Sequence, residues 1–272
     1  MTLQKISMTP EENVDRKKNR LFVILSGIFL TNALVAEMIG VKIFSGESTL
    51  GLQPAHLNIL GYTLDFNLTA GAIIWPIVFI TTDIINEYFG TKGVRKISVL
   101  TACLIGYAFI VIATTTLLPP ADFWLQVNDT DDQGRAFNIN YAYQTIFRQG
   151  LGIIIGSLTA FLIGQFLDVF VFHQLRTVTG SKLIWLRATG STLVSQFIDS
   201  FVVLFIAFYF FGNWSFEQVI SIGIINYIYK FSVAILLTPL IYIGHYLIDR
   251  YLGKENAHKI IEEAAAKSNS FF

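Results

Sequence analysis

The chain has 272 residues, 53% of them hydrophobic and only 14% charged, with a formal net charge of zero and a mean hydropathy of +0.57. A soluble domain of this length needs a more heavily charged surface, and zero net charge removes the bulk basicity used to bind nucleic acid. A single cysteine, Cys103, excludes an intrachain disulfide and any cysteine-based metal cluster, so the profile is that of an integral membrane protein.

In chain order, residues 1–20 are polar and read as a cytoplasmic tail before a retained helix, not as a cleaved signal peptide. Six apolar segments then approach the roughly 20 residues a spanning helix needs, at about 21–43, 69–89, 97–118, 147–172, 189–211 and 218–248. The third, "ISVLTACLIGYAFIVIATTTLL", has no charge at all. The sixth exceeds one span and is expected to tilt, or to bend near Pro239, where a backbone donor is missing. Residues 249–272 read as a second cytoplasmic tail, leaving 21–248 as one six-helix membrane domain of all-α class.

The connections orient this domain. The two tails and the connections at 90–96 and 173–188 carry 15 of the 19 Lys and Arg residues, and all four fall on one side of a six-span arrangement. The opposite loops hold Asp122, Asp129, Asp131 and Asp132 against Arg135. The positive-inside rule then places both termini in the cytoplasm. The first outer loop, 44–70, has short apolar runs broken by Gly, Pro and Asn and is compatible with a small β-hairpin. Three spans before the 119–146 loop and three after it allow a 3+3 inverted repeat.

Several ionisable residues fall inside the spans. At about 1.5 Å rise per residue, Asp83 lies roughly 9 Å from the inner end of its helix, Asp199 roughly 15 Å in, and Lys230 roughly 18 Å from an outer end. Asn32 and Gln196 fall at similar depth. A buried charge costs at least about 2.5–3.5 kcal/mol, so Lys230 is expected to pair with Asp199, with Asp83 as the competing partner. Structural contacts between helices are the simpler reading; two acids, a base and two amides at one depth point instead to a solvated cavity for substrate or ion. Glu87, on the same helical face as Asp83, is expected either to face that cavity or to pair with Lys92, Arg95 or Lys96. Glu37 and Lys42 are expected to snorkel, Arg148 to anchor at the interface, and Asp168 to be exposed or paired with Arg176. Trp75 and Tyr229 could stack on a flat ring. Either Asp83 or Asp199 could carry a proton. The four histidines fall in loops or at helix ends, no HExxH metal spacing occurs, and no GxxxxGK[ST] phosphate loop is present, so neither an intramembrane protease nor an autonomous ATPase is indicated.

The stretch "PIVFITTDIINEYFGTKGVRK" resembles the most characteristic segment of the queuosine precursor transporters, once described as vitamin uptake transporters. The matching positions are Pro76, Thr82 with Asp83, Asn86 with Glu87, Tyr88 with Gly90, and Lys92 with Arg95. "WLRATGSTLVSQFIDSF", "NYIYKF" and "TPLIY" are similar to later segments of the same family. The resemblance implies a six-helix inner-membrane importer of 7-cyano-7-deazaguanine, its aminomethyl relative or queuine, salvaged for tRNA modification. It implies no cofactor, no metal, no enzymatic reaction and no direct contact with nucleic acid. The partners are then the lipid bilayer and a deazapurine substrate, with a homo-oligomer left open. Candidate substrate-binding residues are Asp83, Asn86, Glu87, Gln196, Asp199, Lys230, Asn32, Trp75 and Tyr229. Two other classes compete: a substrate-binding subunit of an energy-coupling vitamin transporter, and a membrane-embedded enzyme or sensor.

Overall fold

The computed structural model describes residues 9–148, 151–180 and 182–269. Lys5 of the N-terminal tail and the side chain of Lys267 lie outside the described residues, as do positions 149–150 within the fourth expected span.

The first helix, α1 (Pro10–Ile39), starts eleven residues before the expected span. The reason is local. Thr9 accepts from the Glu12 amide while the Glu12 carboxylate accepts from the Thr9 amide, and Pro10 supplies a preset helical φ. The charged stretch 11–20 therefore extends the helix out of its apolar part and does not form a separate tail.

The outer segment that follows is small and mostly extended. Strand β1 (Ile43–Ser45) leads into the one-turn helix α2 (Gly46–Thr49) and pairs antiparallel with β4 (Asn67–Thr69). Between them β2 (Leu57–Ile59) and β3 (Tyr62–Leu64) form the expected hairpin. Its two-residue turn puts both Leu60 (φ 50°) and Gly61 (φ 87°) in the left-handed region, as a type I′ turn requires. The hairpin rests on the start of a later helix through Tyr62 Oη–Ser215 Oγ (3.1 Å) and through Ser221 Oγ, which donates to the Ile59 carbonyl (3.1 Å). Inside the loop, Glu47 Oε1 accepts from the amides of Phe66 (2.7 Å) and Ala55 (3.4 Å).

After a 3₁₀ turn (Ala70–Ile73) comes α3 (Trp75–Thr115), a 41-residue helical stretch broken at Gly90, where φ is 68° and ψ −173°. The break reverses the chain. In a straight helix Thr82 and Ser98 would lie about 24 Å apart; here both hydroxyls reach the same atom, Gln165 Oε1, at 3.0 and 3.5 Å. A Cβ on Gly93 would likewise lie 3.4 Å from the Ile85 side chain. Every residue from Thr81 to Tyr88 is buried, so the first arm is surrounded on all sides and forms the centre of the bundle.

Two short helices of the second outer loop, α4 (Asp122–Gln126) and α5 (Ile139–Phe147), precede α6 (Leu151–Thr179). α7 (Ile184–Leu204) runs on into a π-helical turn (Phe205–Phe210). α6 and α7 pack closely because Gly156 presents no Cβ: one added there would sit 3.2 Å from the Val203 carbonyl oxygen and 3.3 Å from the Ala207 side chain. α8 (Phe216–Leu252) is N-capped by Ser215 and stays a single helix through Pro239. The expected C-terminal tail is itself helical: α9 (Lys254–Asn269) buries Ala257, Ile260 and Ala264 and packs on α3.

Among the described residues, five helical stretches are long and apolar enough to cross a membrane: Pro10–Ile39, Trp75–Thr115, Ile139–Thr179, Ile184–Phe210 and Phe216–Leu252. The second and third expected spans both fall largely within the one stretch α3, so five such stretches are seen among the described residues where six were expected.

Candidate functional site

The first arm of α3, α7 and α8 enclose a cavity of about 540 Å³, counted to its mouth. Of the nine sequence-predicted site residues, five line it: Trp75, Asp83, Gln196, Tyr229 and Lys230. Thr189 and Thr192, which sequence reasoning passed over, line it too. The positions follow from helical spacing. Pro76, Phe79, Ile80 and Asp83 share one face of α3 at intervals of three and four, and Thr189, Thr192 and Gln196 share one face of α7.

The walls are unequal in chemistry. Trp75 stacks on Phe79 with centroids 6.0 Å apart and planes 29° apart, giving an aromatic wall. Opposite, Tyr229 reaches the Ala72 carbonyl at 3.4 Å. Two buried polar atoms on the lining have no partner among the described residues, an acceptor, Asp83 Oδ1, and a donor, Gln196 Nε2. A buried polar group left unsatisfied costs about 1–3 kcal/mol, so such a pair is normally met by water or ligand. Lys230 is held by Asp199, which confirms the expected pairing and leaves Asp83 out of it.

The other four candidates lie off the lining. Asn32 donates to the carbonyl of Ile28 in its own helix (2.8 Å). Asp199 sits behind Lys230. Asn86 is fully buried, with its Oδ1 3.1 Å from His173 Nε2. Glu87 accepts from Arg187 (2.9 Å) and Arg176 (3.3 Å), so its partners come from α7 and α6 and not from Lys92, Arg95 or Lys96. Arg187 also donates to the carbonyls of Gly180 (2.6 Å) and Lys182 (3.0 Å), and Arg176 to that of Ile261 on α9 (3.2 Å).

Three further expectations are corrected by burial. Glu37 does not snorkel: it is 8% exposed and accepts from Ser157 of α6. Asp168 is neither exposed nor paired with Arg176. It is fully buried and accepts from Ser195 (3.2 Å). Two of the histidines lie within helices, not at their ends. His173 bonds Asn86, and His245 stacks on Tyr88, whose hydroxyl reaches His245 Nδ1 (3.0 Å) and donates to Asp249 (2.7 Å). No single sequence signal pairs residues 88 and 249; their meeting depends on how α3 and α8 pack.

A bundle of membrane-crossing helices around a central, partly polar cavity defines a multi-pass membrane transport protein. Residues 69–244 match the family model described as "Putative vitamin uptake transporter", and the chain belongs to that family. It is 31% identical over 197 residues to the "Probable queuosine precursor transporter" of Bacillus subtilis (strain 168), covering 71% of this chain and 80% of that one. It is 28% identical over 227 residues to the protein of the same name from Haemophilus influenzae, covering 82% and 85%. To the "Queuosine precursor transporter" of Escherichia coli (strain K12) it is 29% identical over 173 residues, covering 63% and 70%. These relatives are named as transporters, not as enzymes. No solved structure matches the chain.

Proposed function

We propose that this chain imports queuosine precursors, the 7-deazaguanine bases used in tRNA modification, across the inner membrane, binding them in the cavity between α3, α7 and α8. The observation that carries the reading is the unpaired couple on its lining, Asp83 Oδ1 and Gln196 Nε2. A deazaguanine edge offers a ring N–H and an exocyclic amine beside a carbonyl. A carboxylate accepts from both donors, and an amide N–H meets the carbonyl. Trp75 and Tyr229 then flank the flat ring, and Lys230, set by Asp199, reaches its substituent or carbonyl. Asn86 and Glu87 act from behind the lining, by tying α3 to α6 and α7.

Counting the two arms of α3 separately gives a six-pass protein. The basic 91–96 stretch that opens the second arm of α3 and both termini then face the cytoplasm, in keeping with the positive-inside rule. A strain unable to make queuosine precursors, supplied with each base and carrying this gene, tests the reading through its modified tRNA. Restored modification that is lost with Asp83→Asn while the protein remains in the membrane supports it. Failure with every deazaguanine base rejects it.

A further inference from the structure

The three walls of the cavity continue past it toward the Gly90 break, and there they are tied together. One turn beyond Asp83 on α3 stands Glu87, just before Thr189 on α7 stands Arg187, and one turn beyond Ile241 on α8 stands His245. Polar side chains join each pair of walls at this level. Glu87 accepts from Arg187, joining α3 to α7 (2.9 Å). The Tyr88 hydroxyl meets His245 (3.0 Å) and Asp249 (2.7 Å), joining α3 to α8. The Thr189 and Thr238 hydroxyls, 2.9 Å apart, join α7 to α8. Glu87, Tyr88 and Arg187 are each at most 3% exposed, so the cavity has a closed, polar floor.

A floor that only sealed would not need charge. Apolar side chains of similar size often hold a buried site at least as stably as an ion pair, because the pair must first give up its water. What distinguishes this pair is that each member has a second partner. Arg187 also donates to the carbonyls of Gly180 (2.6 Å) and Lys182 (3.0 Å), in the connection that leads into α7. Glu87 also accepts from Arg176 (3.3 Å), whose other nitrogen donates to the Ile261 carbonyl (3.2 Å) of α9, a helix packed on α3. Parting α7 from α3 therefore strands neither charge. The backbone has a place to bend: Gly180 (φ 60°), just after α6, and Leu183 (φ 54°), just before α7, are both left-handed, a strained conformation for leucine. α6, by contrast, is fastened to α3 by Gln165 and by the bond between His173 and Asn86.

We propose, resting on the transport reading above, that the Glu87–Arg187 bond is the cytoplasmic gate of the cavity, opening when the Gly90 end of α7 tilts away from α3 to release substrate between them. Closed, the pair blocks the way from Asp83 to the basic 91–96 stretch. Open, Arg187 stays with the Gly180 and Lys182 carbonyls, Glu87 stays with Arg176, and water fills the gap. The buried charge is what makes the floor able to part, since both halves keep a partner and both accept water.

The test follows a cysteine placed in the cavity of the full-length chain. Thr192→Cys on a Cys103→Ser background is treated with a membrane-impermeant thiol reagent in membrane vesicles of each orientation. Adding Arg187→Gln, which leaves Glu87 to Arg176, should raise labelling from the cytoplasmic face about tenfold or more and leave labelling from the opposite face as it was. No rise from the cytoplasmic face overturns the gate. So does an equal rise from both faces, the mark of a generally loosened bundle. A second variant serves even if Arg187→Gln fails to fold: Glu87→Leu with Arg176→Leu and Arg187→Met exchanges all three charges for apolar side chains and strands none. It should still bind a labelled deazaguanine base, while uptake into proteoliposomes falls about tenfold or more. Uptake by this variant at the wild-type rate overturns the gate. Cytoplasmic labelling that rises as expected in a chain that moves no deazaguanine base leaves the gate standing and refutes the transport reading instead.

Discussion

The Arg187 guanidinium meets the Glu87 carboxylate at 2.9 Å with the two side chains 1% and 4% exposed. Removing one partner of such a pair leaves a buried charge uncompensated, at a cost of about 3–5 kcal/mol. Glu87→Gln is therefore expected to lower thermal stability in detergent sharply, since it strands two guanidinium groups at once. Whatever folds should still bind substrate, because Glu87 is off the cavity lining. Normal stability with lost binding would place Glu87 in direct contact with substrate.

The reversal of α3 depends on a conformation that only glycine adopts without strain. Gly90→Ala forces a Cβ into φ 68°, ψ −173°, and should cost roughly 1–3 kcal/mol. Lower thermal stability, with reduced uptake in proportion to the loss of folded protein, is the expected result. A variant as stable as wild type would show that the turn relaxes to another geometry.

Asp83 and Gln196 make different predictions at the cavity. A hydrogen bond to a charged group is worth about 1.5–3 kcal/mol, so Asp83→Asn should weaken substrate binding ten- to about a hundredfold. Gln196→Leu removes one neutral donor and should cost about tenfold or less. Binding of a labelled deazaguanine base to each purified variant measures both. Equal, small effects would move the recognition edge elsewhere.

Glu47 predicts the acid behaviour of the outer loop. Its carboxylate is held below the ordinary glutamate value of 4.5, first by the Phe66 amide and then by the Ala55 amide and the Ser45 hydroxyl. A lowered folded-state value contributes stability that is present above 4.5 and lost as the pH falls through the lowered value. Exchange protection of the Phe66 amide should thus hold at neutral pH and fade in acid. Glu47→Gln should remove that dependence. Protection unchanged by acid in wild type would count against this role.

Much of the bundle was legible because each signal was local. Apolar runs of spanning length marked every long helix, a Gly-bounded pair of short runs marked the β2–β3 hairpin, and the depth of Asp199 and Lys230 along their helices foretold their pairing. What stayed hidden depends on rotation and packing. Hydropathy placed Asp168 near a helix end but could not say which way it turned, so its burial against Ser195 of α7 was missed. Glu87 has three basic residues within nine positions, yet its partners are 89 and 100 residues away. Charge counting sees the near ones, and only the meeting of α3, α6 and α7 selects the far ones. The start of α1 was missed for the opposite reason: the capping box at Thr9 and Glu12 is a local signal, but it lies in a stretch too polar for hydropathy to notice.

The shared acceptor at Gln165 has a consequence for biogenesis. It is translated 67 residues after Ser98, several seconds later at ~5–20 residues per second. During that interval the α3 hairpin can wait in lipid, since Thr82 also bonds the Val78 carbonyl of its own helix (3.0 Å). The Gln165 amide oxygen, by contrast, finds its partners among the described residues on the hairpin alone. Assembly should thus run in one order, with the hairpin inserted first as a template and α6 arriving to be matched against it.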